Sequence, residues 1–487
     1  MSDQDSTATD HDTSSVVPKK YLYPFILVTT LFALWGFAND ITNPLVKGFK
    51  DIFQISNEQA AWVQRAFYGG YATMAIPAAL VLRKLSYKWG ILIGLALYAV
   101  GALMFIPASM NMQFSMFLVA LYVLTFGLAF LETTANPYIL SMGPPETATQ
   151  RLNLAQAFNP MGSLTGMLIA ATFILPNLST EGFRAKEREA HPEYATMLPG
   201  DVDGKLNDSL VAYIEESPDE WNEMQQQDLA TVRTPYVVIA CVVLAVLAMF
   251  VVSKMPDTGN ENNKIELGDL IVKLMSLRYI GGVIAQAFYV GAQIMCWTYI
   301  IHYGMTLCGL DAATAQKYNI AAMVIFLISR FICTFLLRYV NAGLLLAVLA
   351  LVGMVLTYLV ITLQNMTGLY CLVGVSGCMS MMFPTIYGIA LQGLTPEDAK
   401  LGSAGLIFAI VGGALTPPWQ GALIDAKGDS FIEGVVGPLK SVFGTDLNPV
   451  GWSFILPLIC FLVIAVYGLI TSVMKSPTSE LKAKPVK

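Results

Sequence analysis

Long apolar stretches separated by short polar breaks set the pattern of this chain. About twelve such blocks of roughly 20 to 28 residues run between Tyr21 and Val473, the length a helix needs to cross a bilayer. Membrane strands would be shorter and would alternate polar with apolar. The pattern predicts spans at Tyr21–Val46, Glu58–Leu82, Lys88–Pro107, Gln113–Ser141, Thr149–Leu175 and Thr234–Met255. After a polar stretch come Tyr279–Tyr303, Ala313–Arg338, Ala342–Leu363, Gly368–Gly393, Ala399–Ala426 and Pro449–Val473. The expectation is an all-α polytopic membrane protein of twelve transmembrane helices. They divide into two six-helix bundles at 21–255 and 279–474, joined by a linker at 256–278 and flanked by polar tails at 1–20 and 475–487.

The two sets echo each other. The basic turn V-L-R-K-L-S-Y-K-W-G after the second span has a counterpart in L-L-R-Y-V-N-A-G after the eighth. Pro137 and Tyr138 in the fourth span are answered by Pro384 and Tyr387 in the tenth, and the fifth and eleventh both hold Gly and Pro inside apolar runs. Interruptions at matching places in two repeats point to a transporter whose site lies where the repeats meet.

Composition agrees with the pattern. The chain has 487 residues, of which 55% are hydrophobic and 13% charged, and a mean hydropathy of +0.59. That excludes a soluble multidomain protein. The net charge of −6 comes from acids in the N-terminal tail and between Glu181 and Asp228, with no basic patch for nucleic acid. The seven cysteines lack metal-ligand spacing and His11, His191 and His302 are far apart, so no metal site is expected. Lys and Arg gather on one side: Lys19, Lys20, Arg83, Lys84, Lys88, Arg151, the linker, Arg338, Lys400 and the C-terminal tail. By the positive-inside rule both termini and the linker are cytoplasmic, in a plasma (inner) membrane. The acidic loop 176–233 then faces outward as a solvated cap, with a short helix expected at Asp208–Ala230.

The polar residues inside the spans carry the chemistry. Glu132 sits two-thirds of the way through the fourth span, with Asn136 one turn on and on the same face. An ionised group at membrane depth costs several kcal/mol, so it calls for a cavity, a partner or a proton. The first span places Asp40 and Asn43 on one face beside Asn39 and Trp35; the fifth offers Asn153, Gln156 and Asn159 at three-residue spacing. The seventh carries Gln286, Tyr289, Gln293 and Trp297 along one stripe. Carboxamides beside aromatic rings suit a polyhydroxylated ligand: the amides donate to and accept from hydroxyls, and a ring stacks on a sugar's C–H face. Interhelical hydrogen bonding is the alternative for each amide. A carboxyl group in a dehydrated cavity can take a proton from one side and lose it to the other, which is the core of proton-coupled transport. An enzyme is not expected, because Asp425 and Asp446 lack histidine, metal-ligand or nucleophile partners.

These residues make the chain resemble the L-fucose:proton symporters of the major facilitator superfamily, within the fucose/galactose/glucose:proton symporter group. The segments that carry the resemblance are L-W-G-F-A-N-D, Q-R-A-F-Y-G-G-Y, L-E-T-T-A-N-P, R-L-N-L-A-Q-A-F-N, Y-V-G-A-Q-I-M-C-W and F-P-T-I-Y. It implies the major facilitator fold, with two pseudo-symmetric bundles around a cavity opened alternately to each side. It also implies import of a monosaccharide with a proton, by one chain acting alone and without a cofactor. The family's fourth-helix acid matches Glu132. Its first-helix acid falls at Asn43 by ungapped comparison, whereas this chain has Asp40 one turn earlier. Glu132 and Asp40 are thus the proton-coupling candidates, and Asn43, Asn136, Gln156, Asn159, Tyr289, Gln293 and Trp297 the sugar-binding ones. Sodium coupling, uncoupled sugar transport and a non-transporting sugar sensor of the same fold are the alternative readings.

Overall fold

The computed structural model describes residues 15–42, 45–60, 62–197, 199–256, 272–425, 434, 437–443 and 447–474. Asn43, Asp446, the tail residues 1–14 and 475–487, and linker residues 257–271 lie outside them. The described residues form helices and no strand. Eleven helical stretches among them are long and apolar enough to cross a membrane. The second expected span, Trp62–Leu82, also forms a helix, of 21 residues. Gln64, Arg65, Tyr68 and Tyr71 dilute its apolar character, yet it packs between the fourth span, Phe114–Ser141, and the eleventh, Pro396–Ile424.

Several spans are interrupted where proline or glycine dictates. The fifth breaks into Ala148–Gln156 and Asn159–Ile169 because Pro160 has no N–H for the carbonyl of Gln156. The tenth breaks into Met366–Met379 and Met382–Ala390 ahead of Pro384. The sixth is longer than expected, Pro218–Val252, because the amphipathic stretch before it continues the same helix. The short helix expected at Asp208–Ala230 is therefore corrected to the end of one helix, Pro199–Glu216, and the start of the next. Pro218, unable to donate backward, ends the first and is well placed in the first turn of the second.

The 176–233 segment is a built cap. Its helix Ser179–Ala190 is capped by Asp228, whose carboxylate accepts from Ser179 N at 2.5 Å, Thr180 N at 3.1 Å and Thr180 Oγ1 at 2.7 Å. Arg184 Nη2 then reaches Asp51 Oδ1 at 2.7 Å, with both side chains 3–4% exposed. Asp51 lies on the helix Leu45–Phe53 that joins the first two spans. An ion pair this dry anchors the cap to the first bundle.

The first six spans pack mainly on one another and so do the last six; hydrogen bonds between the two sets cluster at the end that carries both termini. Tyr87 Oη donates to Pro396 O at 2.8 Å, and Lys400 Nζ donates to Leu85 O at 2.9 Å while lying 4.6 Å over the Tyr87 ring. Gln150 Nε2 reaches Thr334 O and Asn153 Nδ2 reaches Thr385 Oγ1, each at 3.0 Å. That end is closed. Arg184→Ala should break this buried ion pair and cost about 3–5 kcal/mol, read as a lowered thermal midpoint of the purified protein.

Candidate functional site

Close helix approach builds the site. At Gly36 on the first span a Cβ would lie 2.0 Å from Asn159 O, and at Gly162 on the fifth it would lie 1.9 Å from Ala33 O. Only hydrogen fits at either place, so the two backbones touch as small residues permit in membranes. This contact brings Asn159 against the first span, where its Nδ2 donates to Phe32 O at 3.3 Å. The seventh and eleventh spans repeat the device, a Cβ at Gly412 falling 2.2 Å from Ala287 O.

Between the two sets lies a cavity. The first span lines it with Trp35, Asn39 and Asp40, the second with Tyr68 and Tyr71, the fifth with Gln156, Asn159 and Ser163. From the other set come Tyr289, Gln293 and Trp297 of the seventh, Phe326 and Arg330 of the eighth and Phe383 of the tenth. Phe383 packs edge-on against both Trp35 (6.2 Å between centroids) and Tyr289 (6.1 Å), forming an aromatic girdle. Trp297 is held by its Nε1–H to Ser376 Oγ at 3.1 Å and by an edge contact to Phe326 at 5.1 Å. Its ring is therefore fixed rather than free to turn. No described residue of the 176–233 cap lines this cavity.

Two of the polar residues singled out from the sequence stand behind the cavity wall. Asn136 is fully buried; its Nδ2 donates to Glu132 O at 3.0 Å and its Oδ1 accepts from Gln156 Nε2 at 2.8 Å. The Gln156 side chain is thus oriented by the fourth span. Glu132 is 2% exposed, with the Tyr71 hydroxyl as its polar neighbour, but neither carboxylate oxygen is in ordinary hydrogen-bond geometry with any group. Tyr71 in turn lies beside Trp35, so one tyrosine separates the acid from the cavity. Asp40 reaches the wall directly, next to Tyr68. Donors and acceptors on rigid helices, flat aromatic faces and two acids can hold a neutral polyol and exchange a proton beside it.

A model of the Major Facilitator Superfamily matches residues 27–183. Over 457 residues, 93% of this chain and 98% of the other, the sequence is 49% identical to the L-fucose-proton symporter of Haemophilus influenzae. The chain belongs to the major facilitator superfamily, in the family of the L-fucose–proton symporters. It is also 34% identical to the L-fucose-proton symporter of Escherichia coli, over 84% of this chain and 89% of that one. Among solved structures it matches the superfamily transporter FucP in its outward conformation, with a TM-score of 0.76 and 32% identity over 94% of this chain and 100% of that one.

In this symporter-family member, then, six expected site residues converge on one cavity: Asp40, Gln156, Asn159, Tyr289, Gln293 and Trp297. Glu132 and Asn136 lie one layer behind, and Asn43 is outside the described residues. Sequence reasoning passed over Tyr68, Tyr71, Phe326 and Phe383. The two tyrosines had a signal, three-residue spacing on the least apolar span; the phenylalanines had none, being apolar residues in apolar helices. Gly36→Ala should push the first and fifth spans apart, costing about 1–3 kcal/mol; an unchanged thermal midpoint would contradict the close contact.

Proposed function

We propose that the chain imports a monosaccharide, L-fucose or a related hexose, together with a proton by alternating access. The observation that carries this reading is the carboxamide and aromatic cavity between the two bundles, with Glu132 buried one tyrosine behind it. The names of its relatives point the same way. Gln156, Asn159 and Gln293 supply hydrogen bonds to sugar hydroxyls, and Trp297 and Tyr289 supply stacking faces. Asn136 acts through Gln156, keeping its amide turned into place.

Glu132 and Asp40 carry the proton. A buried carboxylate is costly while charged, so a proton lowers the cost of closing the protein around it. The proton and sugar load from the side opposite the termini, because the terminus end is closed by the contacts above. Release follows when the bundles part at that end. The lysine and arginine distribution supports cytoplasmic termini, which makes the direction inward across the inner membrane. The coupling ion is a proton, no cofactor takes part, and a single chain holds a complete cavity, so the working unit is a monomer in the lipid bilayer. The cycle transports its ligand unchanged and is not enzymatic.

The test is sugar-dependent alkalinisation by cells expressing the protein, followed by Glu132→Gln. The variant should lose sugar-driven proton uptake while binding sugar within about tenfold of wild type, a change of ~1.4 kcal/mol. Unaltered proton uptake would remove Glu132 from the mechanism, and silence toward every sugar at full surface expression would overturn the symport reading.

A further inference from the structure

Three prolines lie in helices where the two bundles meet: Pro137 inside the unbroken fourth span, Pro160 at the break of the fifth and Pro384 at the break of the tenth. Each lacks an N–H, so the carbonyl four residues earlier loses its helical donor. Those carbonyls belong to Thr133, Gln156 and Ser380. All three are met by side chains. Arg330 Nε donates to Ser380 O, and its Nη1 donates to Gln156 O at 2.9 Å. Ser403 Oγ lies 3.1 Å from Thr133 O and shares its single proton with Lys400 O at 2.7 Å. Gln156 and Thr133 belong to the first bundle, Arg330 and Ser403 to the second. The tie within Arg330's own bundle is to Ser380; the tie to Gln156 crosses.

Arg330 is 3% exposed and lies 4.7 Å over the Phe326 ring. Among the described residues its hydrogen bonds go to carbonyl oxygens rather than to a carboxylate. It also lines the cavity, as Gln156 does, so this is the inter-bundle contact at which cavity and closed end meet. Gln150 to Thr334, Asn153 to Thr385, Ser403 to Thr133, Tyr87 to Pro396 and Lys400 to Leu85 also cross between the bundles, but none of these residues lines the cavity.

We propose that Arg330 is the latch of the terminus-side gate, and that Pro160 and Pro384 exist in these helices to supply its two acceptors. The guanidinium stays on Ser380 O in its own bundle and lets go of Gln156 O when the bundles part. A carbonyl without a helical donor is a stronger acceptor for an outside group than one already satisfied. A charge-assisted bond to it holds the gate shut, and water can replace it when the gate opens. A buried ion pair in its place would leave two uncompensated charges at every opening. Arg330 is a positioning residue in this role. The inference rests on the alternating-access reading, but its test reads gate position and not transport.

The experiment places spin labels at Lys84→Cys and Arg338→Cys, in the turns after the second and eighth spans, in full-length protein with its native cysteines replaced. Pulsed distance measurement in lipid then gives the open-to-closed ratio at the terminus end. Pro160→Ala restores an N–H that competes for Gln156 O, and it should raise that ratio about tenfold, ~1.4 kcal/mol. Arg330→Gln should do the same, and the double variant should add less than about twofold to either. Pro77→Ala, which frees no acceptor at this junction, should leave the distribution at wild type. A proline with a merely structural part would stabilise its helix on replacement and leave the gate alone. An unmoved distribution in Pro160→Ala overturns the latch, and because that variant adds a helical hydrogen bond, the test survives if Arg330→Gln fails to fold. A wild type that never opens at this end, even with saturating L-fucose, overturns alternating access instead.

Discussion

One buried guanidinium holds the two bundles in register. Arg330 is tied to Ser380 O in its own bundle and to Gln156 O in the other, and both carbonyls are free because a proline follows four residues later. Proline in a membrane helix is a defect only when the released carbonyl finds no donor. Here the defects on two different helices are met by one side chain. That contact joins the cavity floor to the closed end, which Tyr87, Gln150, Asn153 and Lys400 bond across as well.

A second constraint acts on the same helices. The first and fifth spans approach until only hydrogen fits at Gly36 and Gly162, and the seventh and eleventh do so at Gly412. Membrane helices gain little from hydrophobic burial against each other, so close backbone contact and specific hydrogen bonds decide how they sit. That is why Asn159 and Gln156 face the cavity from one side and Gln293 and Trp297 from the other. The amides are held before any ligand arrives, Gln156 by Asn136 and Asn159 by the Phe32 carbonyl, which limits the ordering cost of binding.

The acids divide by depth. Asp40 lies on the wall, and Glu132 lies behind Tyr71. A polyol needs neutral donors and acceptors at contact distance, whereas a proton-carrying group benefits from isolation from solvent. In the proposed cycle this separation serves both functions, sugar contact at the wall and proton carriage one residue behind it.

The apolar blocks, their lengths and the polar break near 256–278 settled the fold class, since backbone groups in lipid have no option but the helix. The isolated charge at Glu132 and the carboxamide stripes were legible for the same reason: polar groups at membrane depth are too costly to be casual. The least apolar of the expected spans, placed from the sequence at Glu58–Leu82 and found as the helix Trp62–Leu82, carries Tyr68 and Tyr71 to the cavity. Shared helical faces could not decide which polar residues point at a ligand and which at a neighbouring helix. Asn136 satisfies both periodicity and chemistry, yet it lies behind the wall because the fifth span presses Gln156 onto it. Nor could sequence pair Arg330 with two carbonyls 174 and 50 residues away. Helix formation is a local property, readable from spacing and transfer cost; the meeting of helices is set by close packing among residues distant in the chain, and only the tertiary structure decides it.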